Sequence, residues 1–348
     1  MTKDSMPMPR VPAEWETQEA VWITWPSASW WKDSQSEALS AFAELAAQIS
    51  RFEKVRINCP AARNAEVLKA VGARTAAELE NVELFDHLTN DAWCRDSGAI
   101  FFCAENGKLA ALDLKYNAWG GKFPPWDLDD ALAAKMARAV GAERVDGREL
   151  TCEGGGLEFD GEGSMMTTEC VVLNPTRNEI SKEAAEKFFF EKLGVRKVIW
   201  LTDGLFNDDT DGHIDNLARF APEGKILAAV CGEDNPSYAQ LCENLEVLKS
   251  ARGADGRRFG IIPLPLPEEP VFSKYYDGSL RRLPASYNNF LPVNGAVLMP
   301  AYIQKSDDFA AEILRTAFPK REIVKIDSRT FLKEGGAVHC LTQQQPKI

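Results

Sequence analysis

"EAVWITWP" at residues 19–26, "SEALSAFAELAAQISRF" at 36–52 and "KVRINCP" at 54–60 decide how this chain folds. The first and third are apolar runs of strand length, whereas the middle stretch spaces its apolar residues for one face of a helix. Strand, helix and strand then recur. "AARNAEVLKAVGA" (61–73) leads to "NVELFDH" (81–87), "SKEAAEKFFFEKLGV" (181–195) to "RKVIWL" (196–201), "NPSYAQLCENLEVLKSAR" (235–252) to "FGIIPLPLP" (259–267), and "SDDFAAEILRTAFP" (306–319) to "REIVKIDS" (321–328). Strand candidates with little helix lie between them: "GSMMTTECVVLN" (163–174), "NLARFAPEGKILAAV" (216–230) and "NGAVLMPAY" (294–302). About five helix-plus-strand units without a Gly/Ser linker predict internal repetition within one closed domain over 1–348, with residues 1–10 a flexible N-terminal extension.

Charge and composition remove several function classes. The formal net charge is −12, and no cluster of Lys and Arg offers a surface for phosphates, so a nucleic-acid partner is not expected. No run approaches the roughly 20 apolar residues of a membrane span, and "MTKDSMPMPR" has no apolar segment behind its charges; a soluble, cytoplasmic protein is expected. A cationic small molecule suits the acidic field. The eight cysteines, at 59, 94, 103, 152, 170, 231, 242 and 340, show neither close pairs nor metal-type spacing, which reads as reduced thiols, mostly small buried hydrophobes. "EGGGLE" at 153–158 lacks the order of glycines and the Lys-Ser/Thr of a phosphate cradle.

Three histidines narrow the chemistry: His87, His213 and His339. If "AVHCLT" is extended, His339 and Cys340 point to opposite faces, and a base for the thiol must come from elsewhere. "NDDTDGHIDNLARF" offers His213 with Asp215 two residues on, which on a strand would share one face. A thiolate with a histidine to shuttle protons is the logic of covalent cysteine catalysis. The acids Asp91, Asp96, Glu153 and Asp215 sit in short motifs with Gly, Trp and Asn. Negative charge near a cysteine raises its pKa, so such acids suit a cationic substrate. A guanidinium is planar, always charged and gripped in two-pronged fashion by carboxylates, which points to guanidine modification.

"WCRDSG", "YNAWGG", "CEGGGLE", "NDDTDGHIDN", "RLPASYNNF" and "HCLTQQQP", in this order, resemble the agmatine deiminase family of the guanidine-modifying superfamily, relatives of bacterial peptidylarginine deiminases. The resemblance runs from about Trp15 to the end. It implies an α+β fold, the pentein fold: a five-bladed pseudo-symmetric αβ propeller with the active site on its central axis. It implies Cys340 as nucleophile, His213 as general acid and base, Asp96 and Asp215 as the carboxylates that hold the guanidinium, and Glu153 as the residue that orients and charges the histidine. Trp93 and Asp209 would line the cavity for the amine tail, with Asn289 and Trp119 in its wall. The implied reaction hydrolyses agmatine to N-carbamoylputrescine and ammonia through a thiouronium adduct, with no metal or organic cofactor, in a homo-oligomer. Glu334 stands where the family often has Gly, Ala337 where it often has Asn, and Asp209 where Glu is common. A peptidylarginine or other guanidine deiminase, an amidinotransferase and a non-catalytic binding module of the same fold are the alternatives.

Overall fold

Strands Gln18–Thr24 and Lys54–Cys59 pair in parallel, and helix Gln35–Ser50 crosses between them. The helix forms because Ala38, Phe42, Leu45 and Ile49 recur at spacings of three and four, giving one apolar stripe that is fully buried. The edges of Trp31, Phe42 and Phe331 meet beneath it, with ring centroids 5.4 Å and 5.2 Å apart, an arrangement favoured by ring quadrupoles. The computed structural model describes residues 8–27, 31, 35–74, 79–274 and 278–348.

The same construction occurs five times. In each sheet a central strand has one antiparallel and one parallel neighbour. The first, four-stranded, runs in the order Thr342–Pro346, Gln18–Thr24, Lys54–Cys59, Val82–Asp86. The three-stranded ones are Ile100–Cys103, Leu109–Lys115, Glu143–Thr151; Glu158–Phe159, Ser164–Thr168, Lys197–Leu201; Ala218–Ala221, Lys225–Val230, Gly260–Pro265; and Leu291–Val293, Ala296–Ala301, Glu322–Asp327. Parallel pairing demands a crossover, which helices Leu132–Ala139, Lys182–Leu193, Tyr238–Ser250 and Ser306–Ala317 help to supply. A hairpin of Phe272–Lys274 and Leu280–Arg282 stands apart. The chain is thus a mixed α+β protein of several small sheets.

The membership of the repeats differs from the sequence expectation. Helix Asn64–Gly72 and strand Val82–Asp86 extend the first sheet instead of starting their own. The remaining unit comes from residues 100–151, where three short helical segments, Ala118–Gly121, Asp127–Asp130 and Leu132–Ala139, break the periodic signal. "GSMMTTECVVLN" is strand only over Ser164–Thr168, and Glu169–Val172 turns helical.

Residues 1–7 of the expected extension lie outside the described residues, and Arg10 exchanges two backbone hydrogen bonds with Cys103 at 2.8 and 2.9 Å. Among the described residues no helix is long and apolar enough to cross a membrane. Trp22, Trp25 and Trp31 are fully buried packing residues, while Trp30 lies outside the described residues. His87 bonds Asn58 at 2.8 Å, and burial pulls its imidazole down to about 4.

A buried polar hub joins distant segments. Glu14 receives Arg95 at 3.2 Å and Arg219 at 2.6 Å, and Arg219 also donates to Glu158 at 2.8 Å and to the carbonyls of Asn288 and Phe290. Charges this deep are tolerated only when paired and fully hydrogen-bonded. Among the described residues Glu14, Glu158 and His339 form the one cluster with metal-ligating atoms close together. Arg219 already supplies positive charge to both carboxylates there.

Candidate active site

Pairing of Thr342–Pro346 with Gln18–Thr24 anchors the segment just before it, and that segment carries Cys340. Residues 338–341 form a turn, closed by Thr342, whose N–H donates to the His339 carbonyl at 3.0 Å. The extended reading of "AVHCLT" therefore fails up to Leu341, because the strand begins at Thr342. Asn289 fixes the turn from outside. Its Oδ1 accepts the N–H groups of His339 at 3.0 Å and Cys340 at 3.3 Å, and its Nδ2 lies 3.0 Å from the Cys340 sulfur.

His213 and Asp215 do not share a strand. His213 precedes a short 3₁₀ turn, Ile214–Asn216, so alternation of faces does not apply. The loop before it is held by Asp208, which accepts the N–H and hydroxyl of Thr210; Thr210 in turn accepts the His213 N–H at 3.1 Å. The imidazole Nε2 faces Glu153 Oε2 at 3.4 Å, and Nδ1 faces Asp96 Oδ1 at 3.7 Å. Asp215 bonds a different ring: its Oδ2 bonds His339 Nδ1 at 2.8 Å and lies 3.6 Å from the Cys340 sulfur. Two buried atoms of these residues, His213 Nδ1 and Asp215 Oδ1, have no hydrogen-bond partner.

The glycines of "CEGGGLE" serve close packing. A side chain at Gly155 would meet His213 Nδ1 at 2.5 Å and Asp96 Oδ1 at 2.8 Å, and one at Gly154 the Arg95 carbonyl at 2.3 Å. The bare backbone lets Gly155 N–H donate to Asp96 Oδ1 at 3.2 Å. In "YNAWGG" the residues Ala118 and Trp119 both adopt left-handed backbone, at φ 52° and 55°. That conformation costs of order 1 kcal/mol for a non-glycine residue and is retained where it aims a side chain. Here it delivers Trp119 Nε1 to Asp96 Oδ2 at 3.1 Å.

One cavity, with about 330 Å³ of empty space including its open mouth, is lined by Trp93, Asp96, Trp119, Asp209 and Cys340 from the sequence reading, together with Phe123, Thr210, Glu334, Gly335 and Gly336. Among the described residues its lining combines aromatic faces with three carboxylates and contains neither Lys nor Arg, a setting that suits an organic cation. Asp215, Glu153, His213 and Asn289 form the buried layer around its floor. Gly336 permits the closure, since a side chain there would strike the Trp93 ring at 2.4 Å. Arg177 has no counterpart in the sequence reading. It donates from Nε to both Glu153 oxygens, at 2.9 and 3.0 Å, and from Nη1 to Asp211 at 2.7 Å. Its partners are 24 and 34 residues away, so no local pattern marks it.

The electrostatics follow from burial and charge. Burial pushes the Asp96 carboxyl up to about 7, aided by Asp215 and Glu153 and opposed by His213. Burial disfavours the His213 cation, yet Asp96, Glu153 and Asp215 outweigh it and lift the imidazole to about 9. Burial raises Glu153, but Arg177 and His213 together hold it below the usual carboxylate range. Burial, Asp215 and Asp96 drive the Cys340 thiol well above its ordinary value, so the resting thiol carries its proton.

The model of the Porphyromonas-type peptidyl-arginine deiminase family matches residues 10–346. The chain is similar to an agmatine deiminase of Stutzerimonas stutzeri, 38% identical over 97% of this chain and 95% of the relative. Its fold is similar to that of an agmatine deiminase of Enterococcus faecalis, with a TM-score of 0.88 and 31% identity over 97% of this chain and 96% of that one. A C. jejuni agmatine deiminase carrying a cysteine-to-serine change, with substrate bound, gives 0.85 and 34% over 98% and 97%. An acidic, aromatic pocket over a buried cysteine and histidine, matched along almost its whole length, places the chain in the Porphyromonas-type peptidyl-arginine deiminase family.

Proposed function

We propose that the chain is an agmatine deiminase that hydrolyses the guanidinium of agmatine, giving N-carbamoylputrescine and ammonia. The observation that carries this reading is the cavity itself: a protonated thiol lies beside carboxylates and aromatic faces, a setting that favours a flat organic cation. Asp96 and Asp215 would take the N–H groups of the planar guanidinium, Asp215 through its unpartnered Oδ1. Trp93 and Trp119 would flank the alkyl chain, and Asp209 at the mouth would face the distal ammonium. Bound cation lowers the cost of ionising Cys340, so substrate helps to generate its own nucleophile.

Chemistry then proceeds in two halves. The Cys340 thiolate, its proton released to solvent as the cation binds, forms a bond to the guanidinium carbon, and the tetrahedral adduct expels one nitrogen, which takes a proton from His213 and departs as ammonia. A thiouronium adduct remains. Water, losing a proton to His213, adds to the same carbon; collapse breaks the carbon–sulfur bond while the hydroxyl proton passes to the departing sulfur, leaving the neutral urea product and the Cys340 thiol. Glu153, itself held by Arg177, keeps His213 oriented and charged for the first half. The five sheets support reading the molecule as five repeats around the cavity, a five-bladed αβ propeller forming one catalytic unit. Ammonia release from agmatine, free arginine and a peptidyl-arginine, assayed in parallel, tests the function. Turnover of agmatine alone is expected; peptide turnover would move the chain to peptidylarginine chemistry, and silence with all three would leave a binding module.

A further inference from the structure

His339 adjoins the nucleophile in sequence but takes no part in the mechanism above. Its ring is wholly buried, with Nδ1 2.8 Å from Asp215 Oδ2 and Nε2 2.8 Å from Glu14 Oε1. From these contacts we propose that His339 is a positioning residue, an imidazolium that clamps one oxygen of Asp215 and thereby turns the other toward the guanidinium. The inference rests on the role of Asp215 given in the proposed function.

Three observations support it. First, a neutral imidazole has one N–H and one lone pair, so it would press that lone pair against a carboxylate oxygen at 2.8 Å. Two carboxylates at this distance call for a proton on each nitrogen. Second, with Glu158 ionised the surroundings balance with a charged ring. Glu14, Asp215 and Glu158 are three carboxylates served by two guanidinium groups, Arg95 and Arg219. Both Glu158 oxygens accept, from Phe220 N–H at 2.9 Å and Arg219 Nε at 2.8 Å, the pattern of an ionised carboxylate, against burial and Glu14, which push its carboxyl up to about 7. Burial and the two guanidinium groups hold the imidazole below its ordinary value, against the pull of Glu14 and Asp215; it is the geometry, two carboxylate contacts at 2.8 Å that each need a donor, that argues for the cation. Third, the clamp leaves a defined vacancy. Asp215 Oδ2 is occupied by His339, whereas Oδ1, equally buried, has no partner. A buried acceptor left open costs free energy, and a guanidinium N–H in the cavity would fill it. The same Oδ2 already accepts a weak hydrogen bond from the Cys340 thiol at 3.6 Å, which loss of His339 would leave as its main partner.

Two measurements test the clamp. Nitrogen-15 NMR of histidine-labelled, substrate-free protein has three residues to distinguish, with His87→Gln assigning one of them. Both His339 nitrogens are expected to be protonated from about pH 6 to pH 8; a signal showing one bare nitrogen at pH 7 would overturn the proposal. His339→Asn and His339→Gln separate positioning from simple packing. The Asn amide can reproduce the donor to Asp215 and the Gln amide the donor to Glu14. His339→Asn should retain roughly tenfold more kcat/KM on agmatine than His339→Gln, whose KM also rises. Equal losses, or the reverse order, would refute the clamp. The NMR result needs neither turnover nor a stable variant, so it stands apart from a failure of wild-type protein to release ammonia from agmatine, which would sink the functional reading instead.

Discussion

Asn289 holds Cys340 at both ends: its Nδ2 lies 3.0 Å from the sulfur and its Oδ1 accepts the Cys340 backbone N–H at 3.3 Å. One amide therefore fixes where the sulfur sits and offers a donor to the thiolate. A hydrogen bond to a charged group contributes about 1.5–3 kcal/mol. Asn289→Ala should accordingly lower kcat/KM by roughly 10- to 150-fold. Asn289→Asp should do worse, because it places a carboxylate against the developing anion. Steady-state ammonia release measures both, and wild-type rates in Asn289→Ala would remove the amide from the reaction.

Replacing Cys340 by Ser separates binding from chemistry. The side chain is fully enclosed and differs by one atom, so the fold should persist while turnover falls to background. Binding should survive, because Asp96, Asp215 and the aromatic walls are untouched. Ligand at about 100 times its Kd adds about 2.7 kcal/mol of apparent stability, enough for a clear rise in Tm with agmatine. Retained ammonia release would eliminate Cys340 as nucleophile.

What the sequence made legible, and what it hid, divides by range. Helix Gln35–Ser50 and its flanking strands are visible because Phe42, Leu45 and Ile49 repeat on one face. Of the candidate residues, Trp93, Asp96, Trp119, Asp209 and Cys340 line one cavity, with His213, Glu153, Asp215 and Asn289 behind it. Their motifs carry Gly, Asn and Trp where ordinary surface would carry charge. The supports were hidden. Arg177 steadies Glu153, and Glu14 reaches His339 across 325 positions of sequence. Ion pairs of that separation leave no periodic trace. The local error at His213 has the same root: a short 3₁₀ turn satisfied by Thr210 has no repeat long enough to distinguish it from strand.

Gly155→Ala tests the packing behind the histidine. The added carbon would stand 2.5 Å from His213 Nδ1 and 2.8 Å from Asp96 Oδ1, far inside contact distance. Neither group can yield freely, since both are fully buried among bonded neighbours. Overpacking of this kind costs about 1–3 kcal/mol of stability, so the protein should fold with a lower Tm. Activity should fall more steeply than stability, because the displaced atoms belong to the proposed acid and the proposed guanidinium ligand. A melting curve and a kcat measured on the same preparation would show whether the two losses separate as expected.

The pH dependence of kcat/KM follows from the two shifted groups. Asp96 sits at about 7, and only its anion holds a guanidinium, so activity should rise with pH through that value. His213 sits at about 9 and must carry a proton to release ammonia, so activity should fall as pH climbs through it. Glu153→Gln moves the second limb. Glu153 is one of the carboxylates that keep the His213 cation favourable, so its removal lowers the histidine and draws the alkaline limb down toward neutral pH. The linked effect on folding has a definite sign. His213 is raised above its ordinary 6.5, so the stability it lends is full below that pH and is lost as pH rises through about 9. Glu153→Gln should shrink this loss and also lower Tm at pH 7, because Arg177 then faces a neutral amide. An alkaline limb unmoved by Glu153→Gln would show that another group supplies the proton.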